Sequence, residues 1–352
     1  MSFRRSAARS NAQKGARPGI AAMSHVKSWV RLQDLVGESA PVNRILEWLQ
    51  ACDRRESLVT LSRIAADLAN SDDGILGATA RAWTHDLLVR GVGSEDPIEN
   101  AVGRAVTSLG PGTAIVHGHV VSVLQMLILA YGSPQGRTTS DARLAFFMLA
   151  LNDHLQTWPE PPVGLTEHEQ VAGAIFYSSI FNHTFDDPLR FIVRSVEIWN
   201  RQVGGPINSS EWEQIQLDAF GCTFEEYALS FLIPLYTLST SWGTSVAPIL
   251  RRADWVKGQH AERYARWLSE ATLSVDAAAW RDVTQPSGLP VLPGQFFRSP
   301  LVEIGSGNLL CLSPWHLRDH VTLGTWGKLN EAAKKVFGTR SSQRCCRSLR
   351  RA

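Results

Sequence analysis

The stretch FFRSPLVEIGSGNLLCLSPWHLRDHVTLGTWGKL, Phe296–Leu329, is where the hydrophobic period of the chain changes. Phe297, Ser299, Leu301 and Glu303 set a two-residue step. After the tetrapeptide Gly305-Ser306-Gly307-Asn308 come Leu309, Leu310, Cys311 and Leu312. Two short apolar runs around a Gly/Ser/Asn turn read as a β-hairpin. Ser313-Pro314 then opens a helix, with the serine placed to cap it and the proline at its first position, where a missing N–H costs nothing. Upstream of the hairpin the patterns are helical. Beyond Phe337 the hydrophobic pattern stops.

From Pro41 onward, start signals recur at intervals that suit helices. Ile45, Trp48, Leu49 and Cys52 share one helical face, and Leu58, Leu61, Ile64, Ala65 and Leu68 repeat the arrangement. Asp72 caps a third predicted helix ending near Gly91. Asp96-Pro97-Ile98-Glu99 combines a capping acid, a proline at the first position and a glutamate placed to reach back. Further helices are expected from Thr113 to Tyr131, stopped by Gly132, and after Ser140, burying Leu144, Phe147, Met148, Leu151 and Leu155. Trp158–Gly164, with three prolines, is the best internal boundary. Thr166–Glu169, Asp187-Pro188, Ser210–Glu213 and Thr223–Glu226 open four more helices. The one after Thr223 is almost wholly apolar and is expected to be kinked by Pro234. Ala261–Glu270 and Asp276–Val283 complete the helices, and Gln285–Gly294 links them to the hairpin.

The fold expected is therefore mainly α, a multi-helix array or bundle with one small β-hairpin near the C-terminal end. Residues 1–38 read as a basic disordered leader, with Met23 as an alternative start, and 39–284 as a helical domain with a sub-boundary near 158–164. Residues 285–337 hold the linker, hairpin and helix. Residues 338–352 form a basic, irregular tail.

Charge is unevenly distributed. The first 33 residues carry seven basic residues and no acid, and the 21 residues after Glu331 do the same. Of 35 basic residues, 21 thus remain between these ends, against all 33 acids, a net of −12. An acidic body is a poor platform for nucleic acid, whose binding depends on phosphate neutralisation, so only the basic ends are candidates for that role. The leader's composition also resembles an organellar transit peptide, the alternative to a disordered leader. Five scattered cysteines contain no Cys-x-x-Cys pair, which points to a reducing, cytoplasmic setting without a disulfide framework. The longest apolar run, Val120–Tyr131, is interrupted by Ser122 and Gln125 and is too short to span a bilayer.

Several groupings of residues invite a chemical reading. His316 and His320 lie four apart on a predicted helix and so share a face, as in zinc proteases. The glutamate that should follow the first histidine is missing, and no third ligand is evident. His117 and His119 point about 200° apart on a helix, which prevents joint chelation. His183 with Asp186 and Asp187 resembles a catalytic cluster, but Asp187 precedes Pro188 and is explained as a cap. Glu225-Glu226 and Glu167 with Glu169 sit in first helical turns, where acids oppose the helix dipole. Gly305-Ser306-Gly307 lacks the Lys-Ser/Thr of a phosphate-binding loop. Cys222 precedes a helix start, which would lower its pKa, yet no histidine is tied to it. No residue is assigned to catalysis, a cofactor or a metal, and no cofactor is called for.

The order of a long helical front half followed by FRSPLVEIGSGNLLCLSPWHLRDHVTLGTWGKL resembles the middle of large uncharacterised bacterial proteins. In those, a hairpin of the type polar-Pro-Leu-hydrophobic…Gly…Leu-hydrophobic-Cys/Leu precedes a helix with Gly-x-x-Trp-x-Leu. Gly324-Thr325-Trp326-Gly327-Lys328-Leu329 differs by one residue of spacing. Gly221-Cys222-Thr223-Phe224-Glu225-Glu226-Tyr227 is similar to their helical part. Such proteins often continue into a restriction-endonuclease-like nuclease domain. Its Asp…Glu-x-Lys signature is absent here, so the resemblance carries over no catalytic residue. What it implies is a non-catalytic sensing or interaction module at the front of a larger nuclease-linked protein, with a protein partner or a further domain. On that reading the Arg/Ser/Cys tail is what a shifted reading frame yields. The alternatives are a free-standing helical enzyme with an inter-helix pocket and a basic-tailed nucleic-acid adaptor.

Overall fold

The computed structural model describes residues 32–37, 39–70, 85–109, 118–155, 209–242, 248–273, 299–325 and 327–336. The fold is mainly α, as expected, but its centre is a sheet. The expected helices opened by Thr166 and Asp187, the Asp276–Val283 helix and the boundary at Trp158–Gly164 lie outside the described residues.

The first group of helices comprises α1 (Leu32–Val36), α2 (Val42–Gln50), α3 (Arg54–Asn70), α4 (Pro97–Leu109), α5 (Gly118–Tyr131) and α6 (Asp141–Leu155). Local chemistry places their ends. Asp96 Oδ1 accepts from the backbone N–H groups of Ile98 (2.9 Å) and Glu99 (3.2 Å), capping α4. Ser140 Oγ accepts from Arg143 N at 3.2 Å and caps α6. Glu99 does not reach back to close a capping box. Its carboxylate instead accepts from Ser94 Oγ (2.5 Å) and Arg143 Nη1 (3.1 Å), because a buried carboxylate gains more from a guanidinium than from an amide. α5 stops at Tyr131, and the Gly132 N–H closes on Ile128 O at 2.9 Å. A Cβ at Gly132 would lie 2.6 Å from that same oxygen.

The turn after α5 is held against the α2–α3 junction by backbone hydrogen bonds, with Arg54 Nε adding a bond to Gly132 O at 2.9 Å. Asp53 N donates to Arg137 O, Arg137 N to Ala51 O and Ser133 N to Cys52 O, all at 2.8–3.0 Å. Gly136 makes this approach possible, since a Cβ there would sit 2.2 Å from the Cys52 carbonyl carbon and oxygen.

The second group begins with α7 (Ser209–Phe220) and α8 (Phe224–Tyr227). A π-turn (Ala228–Leu232) and α9 (Ile233–Ser239) continue α8 without a break. Thr223 caps α8 by accepting from Glu226 N at 3.2 Å. α7 includes Ser209 and Ser210, so the helix is already under way at the residue expected to precede it. At Pro234 the expected kink takes the form of a change in helical register. The Ile233 N–H bonds Ala228 O, five residues back, and Pro234 falls in the first turn of α9, where its missing N–H leaves no interior gap.

Among the described residues, four strands form one sheet: β1 (Ile249–Arg251), β2 (Thr272–Leu273), β3 (Leu301–Glu303) and β4 (Asn308–Cys311), in the order β1-β4-β3-β2. α10 (Arg252–Trp255) and α11 (Ala261–Glu270) connect β1 to β2. The hairpin of β3 and β4 turns through Gly305, Ser306 and Gly307, all with positive φ (94°, 55° and 70°). β1 and β2, which no sequence pattern announced, pair with its two edges, so the one expected hairpin is the middle of a larger sheet.

Registers place Ile249, Leu310, Val302 and Leu273 in one row across all four strands. That row packs against the first group of helices, with Leu312 beside it. The alternate residues Leu250, Leu309, Leu301 and Cys311 face the second group. Successive side chains of a strand point to opposite faces, so a sheet with an apolar layer on each side must be apolar at consecutive positions. Leu309-Leu310-Cys311-Leu312 is such a run. The sheet divides two cores.

α12 (Pro314–Asp319) follows β4, with Ser313 Oγ accepting from Trp315 N at 3.2 Å as the capping pattern predicts. A second π-turn (His320–Gly324) and helical residues 327–336 extend it. Leu317, Val321, Thr325, Leu329 and Ala333 are buried at steps of four. An α-helix would drift by about 40° at each such step, and the wider π-turn offsets part of that drift.

Candidate functional site

The sequence's foremost pair, His316 and His320, is deeply buried, at 5% and 1% exposure. α12 straddles the two cores. Trp315 packs against the first and Leu317 into the second. His316 Nε2 shares a 2.8 Å hydrogen bond with Ser122 Oγ of α5. Three residues along α5, on the same face, Gln125 Nε2 donates to Leu312 O at 2.6 Å and to Ser62 Oγ of α3 at 3.3 Å. Arg318 Nη1 reaches Ala69 O, the penultimate residue of α3, at 3.4 Å. Ser62, Ser122, Gln125 and Ser313 are all buried. A polar seam thus ties the helix after the sheet to two helices of the first core.

A serine hydroxyl bonded to an imidazole is also the pairing of a nucleophile with its base. Such a pair needs contact with a substrate, and here both side chains are 95% or more covered. A zinc site needs three or four ligands. Among the described residues, no group of three or more His, Cys, Asp or Glu side chains comes together. The seam as it stands joins helices.

The other sequence-selected residues are dispersed. His117, His183, Asp186, Asp187, Glu167 and Glu169 lie outside the described residues. The backbone at Gly118 and His119 is helical. Glu226 pairs with Arg263 of α11 at the partly exposed rim of the second core. Cys222 is buried, and burial, reinforced by the Glu226 carboxylate, pushes its thiol up to about 11. The position before a helix therefore does not activate it, because desolvation of the thiolate outweighs the helix end. Burial likewise pushes the Cys311 thiol up.

One further group was missed by sequence reading. Tyr227 stacks on Phe220 at 4.3 Å and meets the Trp267 edge at 4.9 Å, with Phe231 at 5.6 Å. Trp267 Nε1 donates to Phe220 O at 2.9 Å, but among the described residues the buried Tyr227 hydroxyl has no hydrogen-bond partner. Lys328 Nζ stands 5.7 Å from the Tyr227 ring centre and pairs with Glu270. Ser122 and Gln125 were visible in the sequence only as interruptions of an apolar run. Their i, i+3 spacing was the available signal that they share one face of the helix. No protein-family model matches the chain, and no curated protein or solved structure matches it either.

Proposed function

We propose that this chain is a non-catalytic helical sensing or interaction module, working as the N-terminal part of a larger bacterial nuclease-linked protein in defence or DNA processing. The observation that supports the non-catalytic part is the use made of His316. The side chain best suited to chemistry is buried against Ser122 in the seam between helices. The nuclease link rests on the resemblance of the Phe296–Leu329 stretch alone. No helix among the described residues is long and apolar enough to cross a membrane, and a cytoplasmic setting is part of the proposal.

The test is to sequence the encoding DNA from codon 330 onward, translate every forward frame and express the longest product. A continuation bearing Asp…Glu-x-Lys, with DNA cleavage that changes when residues 39–336 are removed, is the expected result. Closure of every frame near Ala352 would remove the nuclease link. The rival, a helical hydrolase, has the Ser122–His316 hydrogen bond in its favour. A serine-reactive fluorophosphonate distinguishes the two: labelling of the wild type that is lost in Ser122→Ala would establish the rival and end the non-catalytic reading.

A further inference from the structure

We draw no further inference here: the strongest candidate, the buried polar seam where His316 and the Leu312 carbonyl meet Ser122 and Gln125 of α5, belongs to the site already described, where it joins the helix after the sheet to the first core.

Discussion

The two cores on either side of the sheet are built differently. In the first, α5 is buried at every position from Val120 to Ala130 and α6 from Leu144 to Leu151, so neither helix has a clear polar face. Its filling is mostly aliphatic, with Trp48 stacked on Phe147 at 5.8 Å towards its edge. The second core is aromatic and one-sided. α11 buries Trp267 and Leu268 while Glu262, Arg266 and Glu270 remain outside. Its centre is the set Phe220, Tyr227, Phe231 and Trp267. A helix enclosed on all sides cannot satisfy polar side chains in water, so they depend on partners within the protein: Ser122 Oγ and Gln125 Nε2 find them, while Gln125 Oε1 has none among the described residues. The amphipathic helices of the second core place their charges at the surface, where ion pairs such as Arg266–Glu270 contribute little.

The sharpest way to break this comparison is to remove one face of the sheet at a time. Leu309→Ala and Leu310→Ala delete neighbouring side chains that serve opposite cores, and each is expected to cost about 2–5 kcal/mol in denaturant unfolding. Hydrogen exchange should rise first in α7–α9 for Leu309→Ala and in α3 and α5 for Leu310→Ala. Identical exchange patterns in the two variants would show that the cores are not separately supported.

Next in size is Gly136→Ala. A methyl group there must displace the Cys52 backbone, so a loss of about 1–3 kcal/mol is expected, read as a lower denaturant midpoint. An unchanged midpoint would mean that the turn is not held against the α2–α3 junction. Ser122→Ala takes the hydroxyl from His316 Nε2 and should cost about 1–2 kcal/mol, whereas the like change at exposed Ser269 of α11 should fall within about 0.5 kcal/mol. Equal effects at both sites would remove the seam's role in joining the helices.

Cys222 supplies a pH test confined to the second core. Its folded thiol keeps its proton up to about 11, while an ordinary cysteine loses it near 9.0. Between those values the unfolded chain has released a proton that the folded chain retains, so stability contributed by this group is complete below pH 9 and is lost as pH rises towards 11. Melting temperatures should therefore fall less steeply over that range in Cys222→Ala than in the wild type. Parallel curves would show that the thiol is not buried as described. The smallest expected effect is a gain. Tyr227→Phe deletes a buried hydroxyl that has no partner among the described residues and should leave stability unchanged or raise it by up to about 1 kcal/mol. A loss above about 1 kcal/mol would reveal a partner for that hydroxyl.

Much of the candidate site was hidden from sequence reading for a physical reason. That His316 and His320 share a helical face follows from spacing alone. That the face meets Ser122, 194 residues earlier in the chain, is a tertiary fact with no local trace. The same holds for Glu99. Asp96-Pro97-Ile98-Glu99 reads as a capping box, and the cap forms, but Arg143 of another helix takes the carboxylate.

What the sequence by itself determined is whatever is settled within one turn of chain. Asp96, Ser140, Thr223 and Ser313 cap the helices they precede, and Gly305-Ser306-Gly307 turns the hairpin, because the atoms involved lie a few residues apart. Only the tertiary structure decided that Ile249–Arg251 and Thr272–Leu273 are strands. Two or three residues are too few to display a period, and their extended form is held by pairing with β4 and β3. It also decided that the apolar run Leu309–Leu312 faces two cores, since a continuous run is read equally well as a buried strand or a buried helix until its neighbours are in place.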